Sequence, residues 1–209
     1  MSLIALKDKL SKRLALDLPG RAAQEIMAPR PIEESRFKEN PNFPAKLGGV
    51  MLLLFERDNE LWIPLIKRPE YNGHHSGQVS FPGGKKEKSD LDLIQTAIRE
   101  TEEEVGIAEN QFELLGSLSE LFIIASNFKV LPSIGFLSKE PIYRLEEKEV
   151  ESILEVSLSQ LKDERKRGIE TMHFGQYTIH SPYFDVEGHM VWGATAMMLS
   201  EFLAVMDDL

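Results

Sequence analysis

The run Arg99-Glu100-Thr101-Glu102-Glu103-Glu104-Val105-Gly106-Ile107 constrains this chain more than any other stretch. At about 100° per residue, Leu91, Ile94, Ile98, Thr101 and Val105 fall within one arc of roughly 80°. Residues from about Asp90 to Val105 therefore read as one amphipathic helix. Glu100, Glu103 and Glu104 share the opposite side at i, i+3 and i+4, while Glu102 points elsewhere. Like charges at these spacings cost a few tenths of a kcal/mol per pair. They also stand near the helix C-terminus, where the backbone dipole disfavours anions. Two arrangements meet that cost: a solvated acidic face, or oxygen ligands around a divalent cation such as Mg²⁺ or Mn²⁺.

Two neighbouring features favour the cation. Pro82-Gly83-Gly84 leaves backbone free of side-chain bulk just before the helix, so it can approach a ligand closely. Arg99 stands four residues before Glu103 and can pair with it, fixing its rotamer.

Charge and composition narrow the function classes. The net charge of −10 argues against general nucleic-acid binding, which needs a basic footprint. A small phosphorylated substrate remains open, because a bound cation supplies local positive charge. The chain holds no cysteine. Disulfides, thiolate zinc sites and a cysteine nucleophile are thereby excluded, and the composition suits the cytoplasm. No stretch reaches the ~18–20 apolar residues of a membrane span, so no membrane partner is expected.

Along the chain, Leu3, Leu6, Leu10 and Leu14 predict an N-terminal helix over about residues 3–16, ended by Leu18-Pro19-Gly20. Residues 1–20 have two placements open to them: in cis on the body, or at the interface of a homodimer. Pro29 to Pro44 reads as a surface connector. We divide the chain into an N-terminal helix and connector, 1–40, and a main domain, 41–209. The apolar runs 49–55 and 61–66, joined by Arg57-Asp58-Asn59-Glu60, predict a hairpin. Short strands follow at 78–81, 112–115, 130–136 and 151–158. Tyr177–Ile179 and Pro182–Phe184 read as a last hairpin, and 192–206 as a terminal helix whose Trp192, Met197 and Met198 belong to the core. Strands on both sides of an internal helix, closed by another helix, give an α+β or α/β sandwich.

The acidic helix and the glycine turn together form a recognisable order: Gly84, five residues, Asp90, eight residues, Arg99-Glu100, then Glu103-Glu104 and Gly106-Ile107. This resembles the Nudix box, Gly, five residues, Glu, seven residues, Arg-Glu-apolar-any-Glu-Glu-any-Gly-apolar. Here Thr101 takes the apolar place, the first half is one residue longer, and Asp90 stands near the first Glu. Arg68 and the block from His75 to Gly84 are similar to the segment preceding the box in the coenzyme A diphosphatase subfamily. So are Ala22-Ala23-Gln24, Met27-Ala28-Pro29, Val130-Leu131-Pro132, Glu149-Val150-Glu151 and Val191–Ala196.

The resemblance implies an α+β fold, a Nudix-type α/β/α sandwich with a mixed sheet, plus N-terminal and C-terminal helices. It implies Mg²⁺ or Mn²⁺ held by Glu100 and Glu104 with Glu103 beside them, completed near the Gly84 carbonyl. Glu103 and Arg99 take the catalytic roles. The base is Glu103 or an acid from outside the box, Glu149 or Glu151, although a solvated edge suits those two better. Arg68, His75, Gly83 and Gly84 would bind substrate, with Lys85, Lys86 and Lys88 on a solvated loop. The implied reaction cuts the diphosphate of coenzyme A or its thioesters. The alternatives are another nucleoside diphosphate derivative, such as ADP-ribose or NADH, and a non-catalytic nucleotide-binding module.

Overall fold

The computed structural model describes residues 3–32, 39, 42–70, 77–174 and 177–209. Its centre is β1 (Lys46–Arg57), buried on both faces and therefore almost continuously apolar. Met51, Leu53 and Phe55 point into one core, while Leu52 and Leu54 point into the other, as the two-residue period of a strand requires. β2 (Glu60–Lys67) returns antiparallel to it, with Phe55 opposite Trp62. Asp58 and Asn59 both take positive φ in the turn, the geometry that suits the right-handed twist of a hairpin.

β7 (Phe128–Leu137) runs parallel to β1, from Lys46 opposite Phe128 to Leu54 opposite Phe136. Around this pair the described residues assemble a mixed sheet in the order β3 (Val79–Ser80), β2, β1, β7, β5 (Phe112–Ser117). β4 (Gly83–Lys85) joins β1, β6 (Leu121–Ile123) joins β7, and β8 (Ser152–Ser157) joins β2. A second sheet has the order β11 (His189–Trp192), β10 (Tyr177–Val186), β9 (Arg167–Phe174). The expected hairpin at 177–184 is thus one strand, and its partners lie on either side. Pro182 sits beyond the end of the β11 ladder, which begins at Tyr183, so its missing N–H costs no bond there.

Helices cover both faces. α3 (Leu93–Val105) packs on the Met51 side. On the Leu52 side lie the short α4 (Leu158–Lys162), α5 (Gly193–Asp207) and the N-terminal α1 (Leu3–Leu14). The result is the expected α+β sandwich. Met197 and Met198 are core residues; Trp192 is half-buried at the start of α5. α1 packs in cis: Leu10 and Leu14 are buried, Ser11 Oγ donates to the Leu115 carbonyl, and Lys7 and Arg13 pair with Glu113 and Asp208. A short α2 (Arg21–Gln24) follows, with Gln24 donating to the buried Glu201 of α5 at 2.8 Å. α3 begins later than its apolar phase suggests, because Asp92 caps it by accepting from the Gln95 N–H. Leu91 lies outside the helix and is 89% exposed. No helix among the described residues is long and apolar enough to cross a membrane.

Candidate active site

The site forms where α3 crosses the glycines of β1 and β4. Gly49 permits the crossing: a Cβ there would lie 2.1 Å from the Leu93 carbonyl oxygen. Gly84 is opposite Gly49 in the β1–β4 ladder, and a Cβ on it would fall 2.3 Å from Glu100 Oε1. The two glycines therefore bring a helix backbone and then a carboxylate against the sheet. Thr101 is fully buried and its hydroxyl donates to the Ala97 carbonyl at 2.6 Å. With its polar group satisfied inside the helix, it fills the expected apolar place.

Arg99 is the hub of the upper part. Its Nε and Nη2 donate to the two oxygens of Asp90 at 3.0 and 3.1 Å, and Nη1 lies 3.0 Å from Glu100 and 2.9 Å from Glu103. Asp90 is buried and also accepts from the Thr96 hydroxyl and the Glu87 N–H. The Arg99 bond, with these two, holds the Asp90 carboxyl far below the usual carboxylate range. Despite the longer spacing, Asp90 thus orients the arginine that orients Glu100 and Glu103.

Glu104 is held from the other side. It is 1% exposed, accepts from the Gly83 N–H at 2.8 Å, and pairs with Arg68 Nη2 at 3.1 Å. The same nitrogen of Arg68 donates to the Gly83 carbonyl at 3.3 Å. Burial nevertheless dominates and raises the Glu104 carboxyl to about 7, against the pull of Arg68 and Gly83 and with the push of Glu100 and Glu149. Burial likewise raises Glu100, although Arg99 opposes it.

Oxygens of Glu100, Glu104 and Glu149 lie within 4.8 Å of one another. Glu149 was expected on a solvated edge; its carboxylate instead completes this group while the residue stays exposed. Glu151 does stand apart, paired with Lys67 at 2.7 Å. Glu103 was expected among the ligands, yet it falls outside the three, 59% exposed and bound to Arg99. Although the two acids share one side of the helix, Gly83 and Arg68 hold Glu104 inward while Arg99 holds Glu103 at the exposed edge. His75 lies outside the described residues. Lys85 and Glu103 are exposed at the rim.

An all-oxygen set with a buried acid near neutrality suits a hard divalent cation, whose charge would offset three neighbouring anions. Beside it opens a cleft of about 270 Å³. Arg68, Gly84 and Lys85 line it together with the apolar Ile123, Phe128 and Val130. A lining that mixes cationic and apolar side chains fits a phosphorylated compound with an organic arm.

A family model described as NUDIX domain matches residues 46–173. An uncharacterized Nudix hydrolase of Shigella boydii, NudL, is 31% identical over 149 residues, covering 66% of this chain and 72% of that protein. The chain belongs to the Nudix hydrolase family. Within that family it is also similar to two Arabidopsis thaliana proteins. Nudix hydrolase 15, mitochondrial, is 37% identical over 84% of this chain, and Nudix hydrolase 22, chloroplastic, is 34% identical over 75%. The chain spans 62% and 54% of the length of these plant relatives. A MutT/nudix family protein from Enterococcus faecalis shares the Nudix fold, with TM-score 0.52 at 17% identity over 92% of this chain and 76% of that one.

Proposed function

We propose that this Nudix chain hydrolyses the diphosphate bond of coenzyme A or its thioesters, giving 4′-phosphopantetheine or its acyl form and adenosine 3′,5′-bisphosphate. The observation that carries the hydrolase reading is the convergence of Glu100, Glu104 and Glu149 beside Gly84, which itself lines the cleft. Preference for coenzyme A rests on the likeness of Arg68 and the His75–Gly84 block to that subfamily, and on an apolar cleft wall able to take a pantetheine arm. The reading assigns the enzyme to the cytoplasm.

Glu100, Glu104 and Glu149 are the residues that would hold Mg²⁺ or Mn²⁺. A bound divalent cation supplies charge neutralisation on the diphosphate oxygens and a polarised water. Arg68 and the Gly83 N–H keep Glu104 in place, and Asp90 through Arg99 keeps Glu100 and Glu103 in place. Arg68 and Lys85 are the cations in the cleft lining that would meet the phosphates. Water attacks one phosphorus in line, its oxygen forming the new P–O bond as the bridging P–O bond breaks. The water proton passes to a carboxylate, Glu103 or Glu149, and the other phosphate leaves with the bridging oxygen. With Glu151 committed to Lys67, these two are the remaining candidates for the base named from the sequence.

Purified protein offered coenzyme A, ADP-ribose and NADH separately with Mg²⁺, with products separated by chromatography, tests the substrate. Equimolar 4′-phosphopantetheine and adenosine bisphosphate support the proposal. Brisk cleavage of ADP-ribose or NADH with coenzyme A untouched would replace it by a Nudix pyrophosphatase of another nucleoside diphosphate derivative.

A further inference from the structure

The segment between β7 and β8 brings Glu149 to the site, and its route is set by bonds outside the three carboxylates. The Arg144 N–H donates to the Val105 carbonyl at 2.9 Å and the Glu146 N–H to the Glu104 carbonyl at 3.0 Å. The segment thus satisfies carbonyls that the C-terminal turn of α3 leaves open. The N–H groups of Glu149 and Val150 both return to the Glu146 carbonyl at 2.9 Å, and the Glu151 N–H reaches the Lys67 carbonyl at 2.8 Å. These bonds form the turn that presents Glu149.

Tyr143 is a polar anchor on the approach to that turn. Ile142, Arg144 and residues 146–149 are exposed, whereas Tyr143 and Leu145 are half-buried against the core beneath α3. The Tyr143 hydroxyl donates to Glu155 Oε1 on β8 at 2.7 Å. The other oxygen of Glu155 accepts from Arg57 Nη1 of β1, also at 2.7 Å. Arg57 in turn pairs with Glu140 at the start of the same segment. Burial and the Glu155 carboxylate raise the Tyr143 hydroxyl above its ordinary value, so it stays a donor. The network has no catalytic use of its own, and it ties the segment to two strands of the sheet.

We propose that Tyr143 is a positioning residue for Glu149, with Glu155 and Arg57 as its anchor. The inference rests on Glu100, Glu104 and Glu149 forming the cation site of the proposed reaction. The hydroxyl bond ties the segment to β8 just before the turn, and with the backbone bonds it sets where the third carboxylate meets the other two. Supporting hydrogen bonds of this kind are worth about 10- to 100-fold in metal affinity when they touch a ligand directly. Tyr143 acts through the segment and touches no ligand, so a smaller effect, roughly 3- to 10-fold, is expected.

The test is Mn²⁺ binding to the full chain without substrate, read from the free-ion electron paramagnetic resonance signal. Tyr143→Phe, Glu149→Gln and the double variant are compared, with melting temperatures in EDTA confirming the fold. Tyr143→Phe should weaken Mn²⁺ binding roughly 3- to 10-fold and Glu149→Gln more strongly. The double variant should match Glu149→Gln alone, because a residue acting through Glu149 has no effect once that carboxylate is gone. Glu155→Ala, which removes the acceptor and keeps the tyrosine, should reproduce the loss and stands in if Tyr143→Phe does not fold. Unchanged binding in Tyr143→Phe, or additive losses in the double variant, would overturn the positioning role while leaving the cation site intact. Unchanged binding in Glu149→Gln would overturn the cation-site assignment of Glu149 and the inference with it.

Discussion

The Gly83 N–H donates to the buried Glu104 carboxylate at 2.8 Å, tying the glycine turn to the last turn of α3. This bond and the Arg68 pair are the only compensation that the protein itself gives Glu104 among the described residues. Burial still raises its folded value to about 7, from an ordinary value of 4.5.

A pH dependence follows for the metal-free protein. An acid whose folded value is raised contributes stability that is complete below its unfolded value and disappears as pH rises through the folded one. The metal-free melting temperature should therefore fall between pH 4.5 and about 7, by the equivalent of about 3 kcal/mol. Glu104→Gln should flatten that part of the profile, and Mg²⁺ should restore stability to wild type far more than to the variant. Thermal scans across pH in EDTA, with and without added Mg²⁺, read both effects.

Asp90→Asn should act with the opposite sign. The depressed value of Asp90 gives stability that is present above about pH 4 and fades as the pH falls below it. Loss of the buried charge leaves Arg99 without its main partner, at a cost of about 2–3 kcal/mol at pH 7. Denaturant titration at pH 7 and pH 3 should show a large difference from wild type at the first and a smaller one at the second.

Two glycine variants should separate the site from the scaffold. In Gly84→Ala the new methyl meets the end of the Glu100 side chain, which can swing away, so folding survives and Mg²⁺-dependent activity drops by about 100-fold or more. In Gly49→Ala it meets the backbone of α3 at Leu93, which cannot move without unpacking the helix. That variant should lose at least about 3 kcal/mol of stability or fail to fold. Circular dichroism melts alongside activity distinguish the two.

What the sequence makes legible depends on the range of the interactions involved. The phase of α3, the buried Thr101 and the hairpin at Asp58-Asn59 follow from local periodicity and turn chemistry. Glu100 and Glu104 are legible for the same reason. Glu149 is not, because its place depends on where Arg144 and Glu146 bond the end of α3. Nor is the exclusion of Glu103, which depends on Gly83 and Arg68 meeting its neighbour Glu104. Asp90 is legible as an acid but not as the partner of Arg99. The single strand over 177–186 is hidden by Pro182, which reads locally as an interruption.

The most direct test of the metal-carboxylate diphosphatase is the initial rate of coenzyme A cleavage against Mg²⁺ concentration, for wild type and Glu104→Gln at equal fold content. Saturable Mg²⁺ dependence in wild type, abolished by EDTA and reduced by about 1,000-fold or more in Glu104→Gln, is the predicted result. Full activity in Glu104→Gln, or cleavage that persists in EDTA, would contradict it.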